Sequence, residues 1–116
     1  MLCEIGRWQV SKRNSNKHIE KWTVWMDYIK TNRDKFHFTH SRLFILETKS
    51  SAVEDWMFID EYKDQRAYAY NKTMKAVRTD AEIVKAKIKL IKDIESSFVP
   101  NSFKTEIWVE KTELGV

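Results

Sequence analysis

The fold of this chain is decided by two apolar runs, Arg42-Leu43-Phe44-Ile45-Leu46 and Asp55-Trp56-Met57-Phe58-Ile59-Asp60-Glu61-Tyr62. A short polar segment, Lys49-Ser50-Ser51, separates them, so the stretch from Thr39 to Lys63 predicts a β-hairpin. A hairpin with one solvated face alternates apolar and polar residues, whereas these runs place large apolar groups on both faces of the strands. We therefore expect both faces of the hairpin to be covered.

The length and composition predict one globular domain spanning residues 1–116. A chain of 116 residues can bury a hydrophobic core without disulfides or metal. Its 42% hydrophobic and 33% charged residues lie in the ordinary globular range, so we expect an ordered chain. The net charge of +4 comes from 21 basic and 17 acidic residues that are mixed along the sequence, which argues against a nucleic-acid partner.

The N-terminal region predicts the compartment. It contains neither a long apolar run nor a small-residue cleavage site, and the one cysteine, Cys3, cannot form an intrachain disulfide. We therefore expect a cytoplasmic protein that does not insert into membranes. Cys3 has no Cys/His signature around it and is expected to be a small packed side chain.

The segment before the hairpin predicts a strand and a helix. Leu2 to Val10 has the pattern of a strand, in which Gly6 indicates a bulge or a close backbone approach. Ser15 or Asn16 is the expected N-cap of a helix that runs to about Thr31. The apolar stripe of this helix is Ile19, Trp22, Met26 and Ile29, with Trp25 on its flank.

The segment after the hairpin predicts two helices and a strand. Asp64 can cap the first helix, whose stripe includes Ala67 and Tyr70, then Met74 and Val77. Thr79-Asp80-Ala81-Glu82 matches a capping box, so a third helix should start there. Its apolar rows are Val84, Ile88 and Ile91, and beside them Ile83, Leu90 and Ile94. Phe103 to Glu110 alternates as a half-exposed strand does.

This order of elements is that of the split βαβ, or ferredoxin-like, α+β fold, a four-stranded antiparallel sheet with all helices on one face. The other face would be bare and would carry side chains from the rows of Phe44, Trp56 and Phe58, a patch too large for a monomer. We expect a two-fold homodimer in which two sheets pack face to face. A monomer with the third helix folded across the sheet is the less favoured alternative.

The run Asp60-Glu61-Tyr62-Lys63-Asp64-Gln65-Arg66-Ala67 resembles the segment that closes the third strand and opens the second helix in dimeric α+β barrel proteins. That superfamily includes the antibiotic-biosynthesis monooxygenase type and the NIPSNAP type. The following helix, the Thr79-Asp80 break and the strand after Pro100 fit the same layout. The resemblance implies two subunits joined by their sheets, each with a pocket between sheet and helices. It also implies cofactor-independent or haem-degrading oxygenases as possible activities.

The cofactors of that superfamily do not fit this sequence. In its haem-degrading branch a Trp stands at the position of Asn71 and a His ligand follows further along, whereas this chain has no His after His40. An imidazole is the usual proximal ligand of such haem, so we expect no haem and no other cofactor. The monooxygenase type commonly has a His at the Asn71 position, and the chain departs from that pattern as well.

Asp60 is the candidate catalytic residue, because it shares a strand face with Trp56 and Tyr62. Burial among aromatic rings disfavours the charged carboxylate unless a donor or cation accompanies it. His40, the second catalytic candidate, and Arg42 are the expected partners on the adjacent strand. The alternative is a purely structural ion pair of Asp60 with Arg42 or Arg7.

The expected ligand-binding residues are the aromatic and polar side chains that can line a cavity for a flat apolar molecule. They are Tyr62, Trp8, Trp56, Arg42, Trp108 and Asn71. Trp108 stands on the polar face of the last strand and marks either the pocket wall or the dimer contact.

The other histidines predict no metal site. His18 lies in the first turn of its helix and is expected to be exposed to solvent. His37 and His40 are three residues apart near the start of a strand, so they point to opposite faces.

Two functions follow from these observations. The first is a protein that binds a small, largely apolar or aromatic molecule and carries out cofactor-independent oxygenation or proton transfer, with Asp60, Tyr62 and His40 as polar contacts. The second is a non-catalytic homodimeric interaction module, whose aromatic residues serve only the core and the dimer. An open pocket with convergent polar groups would favour the first, and a solidly filled core would favour the second.

Overall fold

The elements follow one another as the sequence predicts. The computed structural model describes residues 1–46, 52–73 and 81–115, without the side chains of residues 72–73 and 81–84. Their main elements are β1 (Leu2–Ser11), α1 (Ser15–Thr31), β2 (Phe38–Ile45), β3 (Val53–Tyr62), α2 (Gln65–Thr73), α3 (Ala81–Glu95) and β4 (Lys104–Val109). The expected turn at 49–51, the capping box at 79–82 and the stripe positions Met74 and Val77 lie outside the residues or side chains described.

The strands form one sheet in the order β2-β3-β1-β4, and every neighbouring pair is antiparallel. This is the predicted ferredoxin-like α+β topology. The predicted hairpin strands, β2 and β3, pair directly with each other, and β3 also pairs with β1 over its full length. β3 is therefore a central strand with both of its edges paired.

The core lies between this sheet and the helices. Leu2, Trp8 and Val10 of β1 and Trp56 of β3 are buried against α1 and α3. Because successive strand residues point to opposite faces, the even-numbered residues of β1 and β3 face the helices and the odd-numbered ones face away. Trp56 and Phe58 therefore lie under the helices, and their expected place on the bare face is corrected.

The buried stripe of α1 differs from the expected one. The buried residues are His18, Trp22, Trp25 and Ile29, whereas Ile19 is 43% exposed. The helix is thus rotated by about one position around its axis, so that Trp25 instead of Ile19 contacts the core. On α3, Ile94 is buried but Ile88 is exposed.

The predicted N-cap of α2 is confirmed, whereas that of α1 is wrong. Asp64 caps α2 as predicted, because its Oδ1 accepts the Ala67 N–H at 2.8 Å. For α1 the expected cap at Ser15 or Asn16 is wrong: the N-cap residue is Asn14, at the end of a short 3₁₀ turn, and it makes no side-chain capping bond. None of the helices described is long and apolar enough to span a membrane.

Gly6 marks neither a bulge nor a close backbone approach, because the group that lies against it is a side-chain ring. Its pairing with β3 is regular, and the ring of its partner Phe58 lies directly over it. A Cβ at residue 6 would overlap this ring. Glycine is therefore needed here so that Phe58 can lie flat across β1.

The face of the sheet away from the helices, which we call the open face, mixes apolar and charged side chains. Its apolar residues include Ile5, Phe44, Met57, Ile59 and Trp108. Phe44 and Trp108, on the two edge strands, are 42% and 56% exposed. Ion pairs flank them, Arg7 with Glu106 at 3.2 Å and Arg42 with Glu61 at 2.7 Å.

Candidate ligand-binding site

A cavity of about 320 Å³ lies between the sheet and the helices, and we call it the inner cavity. Its apolar walls are Trp22, Trp25, Ile29, Phe36, Phe38, Phe58 and Ile91. Among the described residues, its polar lining is Glu4, Ser41, Asp60, Tyr62, Asn71 and Lys87. The volume falls in the range of small-molecule sites, and an aromatic wall with few polar groups is typical of them.

Three polar residues of the cavity form one row across the sheet. Asp60 pairs with Glu4 of β1 on one side and with Ser41 of β2 on the other. Side chains at paired positions lie about 5 Å apart on the same face. The Ser41 hydroxyl donates to Asp60 Oδ1 at 2.6 Å. Asp60 therefore sits at the centre of the row, with a second carboxylate beside it.

Tyr62 presents a hydroxyl group next to this row. Asn71 Nδ2 donates to the Tyr62 hydroxyl oxygen at 3.1 Å, while Asn71 Oδ1 accepts the backbone N–H of His37 at 3.0 Å. These two bonds fix the orientation of the Asn71 side-chain amide. Burial and the negative charges of Asp60 and Glu4 raise the pKa of Tyr62. The phenol stays protonated, and no residue in the described part of the chain accepts its proton. Tyr62 can therefore donate a hydrogen bond to a ligand.

His40 and Arg42 lie on the open face, away from Asp60. An irregularity between Phe38 and His40 shifts the pairing of β2 with β3 by one residue, so that Ser41 instead of His40 stands opposite Asp60. Both side chains contact Glu61, His40 Nδ1 at 3.3 Å and Arg42 at 2.7 Å. The expectation that His40 and Arg42 are partners of Asp60 is therefore wrong, because the two residues lie on the opposite face of the sheet.

The predicted aromatic residues divide among three places. Tyr62 lines the inner cavity, but Trp8 is 1% exposed and lies in the core, stacked on Trp22. Trp8 and Trp56 border a separate, open depression of about 670 Å³, which shares no lining residue with the inner cavity. Trp108 is on the open face. Asp60, Tyr62 and Asn71 are thus the predicted residues that meet.

His18 is fully buried, which corrects the expectation that it is exposed to solvent. Its Nε2 accepts the indole N–H of Trp8 at 2.9 Å and that of Trp22 at 3.1 Å. Burial and the positive charge of Lys21 lower the pKa of His18 to about 4, so the ring is neutral at pH 7. The spacing of His18, Trp22, Trp25 and Ile29, which places them on one helix face, is the signal that could have revealed its burial.

Three polar residues of the cavity were not expected from the sequence. Glu4 lies in the buried row of β1, and it contacts the Tyr68 hydroxyl at 3.4 Å. Ser41 depends on the shifted pairing of β2, which no sequence pattern indicates. Lys87 precedes Ile91 and Ile94 by four and seven residues, so its spacing already places it on the buried face of α3.

A metal ion has no evident site in this region. Among residues 1–46, 52–73 and 81–115, no three His, Cys, Asp or Glu side chains converge in the way that a metal ion requires. The polar groups of the described residues that line the inner cavity are carboxylates, a hydroxyl, a phenol, an amide and an amine.

Comparison with known proteins identifies the fold. No protein-family model matches the chain, and no curated protein is significantly similar to it in sequence. A crystal structure of an antibiotic biosynthesis monooxygenase matches with a TM-score of 0.60 and 13% identity, over 95% of this chain and 98% of that one. An uncharacterised NIPSNAP domain protein from Burkholderia xenovorans matches with a TM-score of 0.57 and 14% identity, over 95% and 94%.

A third structure, from Nitrosomonas europaea and provisionally assigned as an antibiotic biosynthesis monooxygenase, matches with a TM-score of 0.57 and 14% identity, over 96% of this chain and 99% of that one. These likenesses confirm that the chain shares its fold with structures of both protein types that the sequence resembles. At such identities they establish architecture, and chemistry has to be argued from the cavity itself.

Proposed function

We propose that this protein binds a small, flat aromatic molecule with a carbonyl or hydroxyl group in the inner cavity and transfers a proton to or from it. The observation that carries the proposal is the convergence of Asp60 and the Tyr62 hydroxyl in one aromatic-walled cavity. An open cavity with convergent polar groups favours chemistry over a purely structural role for the aromatic residues.

In the proposed reaction Asp60 is the general base and Tyr62 is the hydrogen-bond donor. The Asp60 carboxylate takes a proton from a carbon next to a carbonyl group, and the charge that develops on the carbonyl oxygen is stabilised by the Tyr62 O–H. The raised pKa of Tyr62 supports this role, because the phenol keeps its proton at neutral pH. Ser41 orients Asp60 through its 2.6 Å hydrogen bond.

Cofactor-independent oxygenation is a second outcome of the same proton removal. The substrate anion that forms when Asp60 takes the proton can be reprotonated at another carbon, which is isomerisation. Alternatively it reacts with molecular oxygen to give a hydroperoxide, which loses water and leaves a carbonyl group, and this is oxygenation. Two of the structures with the same fold are named as antibiotic biosynthesis monooxygenases, one of them provisionally, and this supports oxygenation as a proposal for this chain.

We also propose that the protein is a homodimer joined through the open faces of its sheets. The apolar side chains of this face support the proposal, because exposed aromatic residues on both edge strands would be removed from water. The flanking ion pairs, Arg7 with Glu106 and Arg42 with Glu61, would lie at the rim of such an interface.

The function can be tested with 2-tetralone, an aromatic ketone whose hydrogens next to the carbonyl are acidic. Binding is measured by calorimetry, and exchange of these hydrogens in deuterated water is followed by proton NMR. We expect the unaltered protein to accelerate exchange. Asp60→Asn should lower the exchange rate about a hundredfold, the usual contribution of a general base.

Asp55→Asn is the matched control, because Asp55 lies on the same strand but on the opposite face, with its Oδ1 accepting from Gln9 Nε2 at 3.1 Å. It should leave exchange unchanged. Tyr62→Phe should lower the exchange rate with little loss of binding, because its hydrogen bond strengthens as charge develops. Equal exchange in the Asp60 and Asp55 variants would refute the proposed base.

A further inference from the structure

The imidazole of His18 lies in the core and takes no part in the proposed proton transfer, yet two tryptophans depend on it. Its Nε2 accepts N–H bonds from Trp8 at 2.9 Å and from Trp22 at 3.1 Å. A nitrogen that accepts hydrogen bonds carries no hydrogen itself, so the neutral ring must be protonated on Nδ1. His18 is 0% exposed, and its Nδ1 is buried without a hydrogen-bond partner among the described residues.

Trp22 connects this imidazole to the inner cavity. Its indole is 8% exposed, and it forms part of the cavity wall. It stacks on Trp8 with ring centroids 5.4 Å apart and an angle of 18° between the planes. Stacking on Trp8 alone would allow the indole of Trp22 to flip about χ2, because the χ2 distribution of Trp is broad and roughly two-fold. The N–H bond to His18 selects one orientation.

We propose that His18 is a positioning residue of the inner cavity, which holds the indole of Trp22 in the orientation that forms the wall for an aromatic ligand. The inference rests on the proposed function, because it concerns the same cavity. Trp8 lines no part of that cavity. Its bond to the same nitrogen anchors the imidazole to β1, so the wall is fixed relative to the strand next to Asp60.

A double-mutant cycle on the dissociation constant of 2-tetralone tests whether His18 acts through Trp22. His18→Phe keeps a ring of similar shape but removes the acceptor, and we expect binding to weaken about fivefold to tenfold, as for the loss of a hydrogen bond that fixes a site residue. Trp22→Phe keeps an aromatic wall without the N–H. In that background His18→Phe should have no further effect on binding.

Trp8→Phe provides the matched background, because it removes the other N–H bond to the same nitrogen. There, His18→Phe should still weaken binding, but by less than in the unaltered protein, because the bond that anchors the imidazole to β1 is already lost. His18→Gln, which supplies a carbonyl oxygen in place of Nε2, should restore part of the affinity. Binding that is unchanged by His18→Phe, or that is weakened equally in the Trp22→Phe background, would overturn the inference.

A second measurement uses the unaltered protein and so does not depend on the folding of a variant. In nitrogen-15 NMR, His18 should show an unprotonated Nε2 and a protonated Nδ1, and the Trp22 indole N–H should shift on saturation with 2-tetralone. A ring protonated on Nε2 would contradict the inference. Absence of 2-tetralone binding to the unaltered protein would count against the proposed function, whereas binding that ignores His18 would count against the positioning role alone.

Discussion

At the scale of single residues, the burial of His18 has a consequence for stability. The pKa of His18 is lowered from 6.5 to about 4 by burial and by the charge of Lys21, with Glu54 opposing the effect. The unfolded chain therefore binds more protons than the folded one between these values, so the free energy of unfolding falls as the pH falls through this window. The stabilisation is complete above about pH 6.5 and is lost towards pH 4.

We expect the free energy of unfolding to be about 2 kcal/mol smaller at about pH 5 than at about pH 7.5 through His18 alone. Urea titrations at both pH values measure the difference. His18→Gln keeps an acceptor but does not titrate in this range, so the difference should shrink by the same amount. A variant with the full acid sensitivity of the unaltered protein would show that other groups cause it.

Gly6 is the second residue whose role is local and testable. Gly6→Ala places a methyl group against the ring of Phe58, whose movement is restricted by its contacts with Trp8 and Trp22. We expect a loss of about 2 kcal/mol in the free energy of unfolding, within the usual cost of overpacking a core. Thermal denaturation measures it, and Gly115→Ala at the exposed C-terminal end is the control, since a Cβ there meets no close contact.

At the scale of elements, the end of β3 and helix α2 carry much of the site. Asp64 caps α2, and this helix supplies Asn71, which donates to Tyr62. We expect Asp64→Ala to lower the free energy of unfolding by about 1 kcal/mol, while Asp64→Asn should retain most of it. Because fraying of α2 would release Asn71, 2-tetralone should bind more weakly to the alanine variant than to the asparagine variant. Denaturant titration and calorimetry measure the two effects.

The elements also show what the sequence can and cannot predict about the site. The side-chain alternation of β3 correctly placed Asp60 and Tyr62 with Trp56 on one face, because a strand repeats every two residues. The position of His40 could not be predicted in this way, since the irregularity after Phe38 reverses the alternation of β2. A bulge is set by pairing with a neighbouring strand, so its position is not written in the strand's own pattern of apolar residues.

The same reasoning explains the misplaced histidine of α1. A helix stripe read from apolar residues alone favoured Ile19, whereas two indole N–H groups in the core needed an acceptor and rotated His18 inwards. Hydrogen-bond requirements between elements are invisible while each element is considered separately. The order and type of the elements were predictable because they depend on local periodicity and caps.

At the scale of the whole molecule, the open face of the sheet makes the proposed homodimer testable. Met57 lies on this face of the central strand β3, paired with Arg7 on β1 and Phe44 on β2. We expect light scattering to give the unaltered protein twice the mass of one chain. Met57→Glu would place a carboxylate in the proposed interface of each subunit, where its burial is unfavourable, so this variant should be monomeric at the same concentration.

The control for this substitution is Lys30→Glu, which makes a larger change in charge at an exposed position of α1, on the other side of the molecule. It should remain dimeric. We expect Met57→Glu to keep its fold, because the helix-facing core does not include residue 57. Circular dichroism checks this. A compact monomer in the unaltered protein would refute the dimer, and the apolar groups of the open face would then need another partner. Proton exchange by such a monomer would show that the inner cavity works without a second subunit, since the described residues that line it come from a single chain.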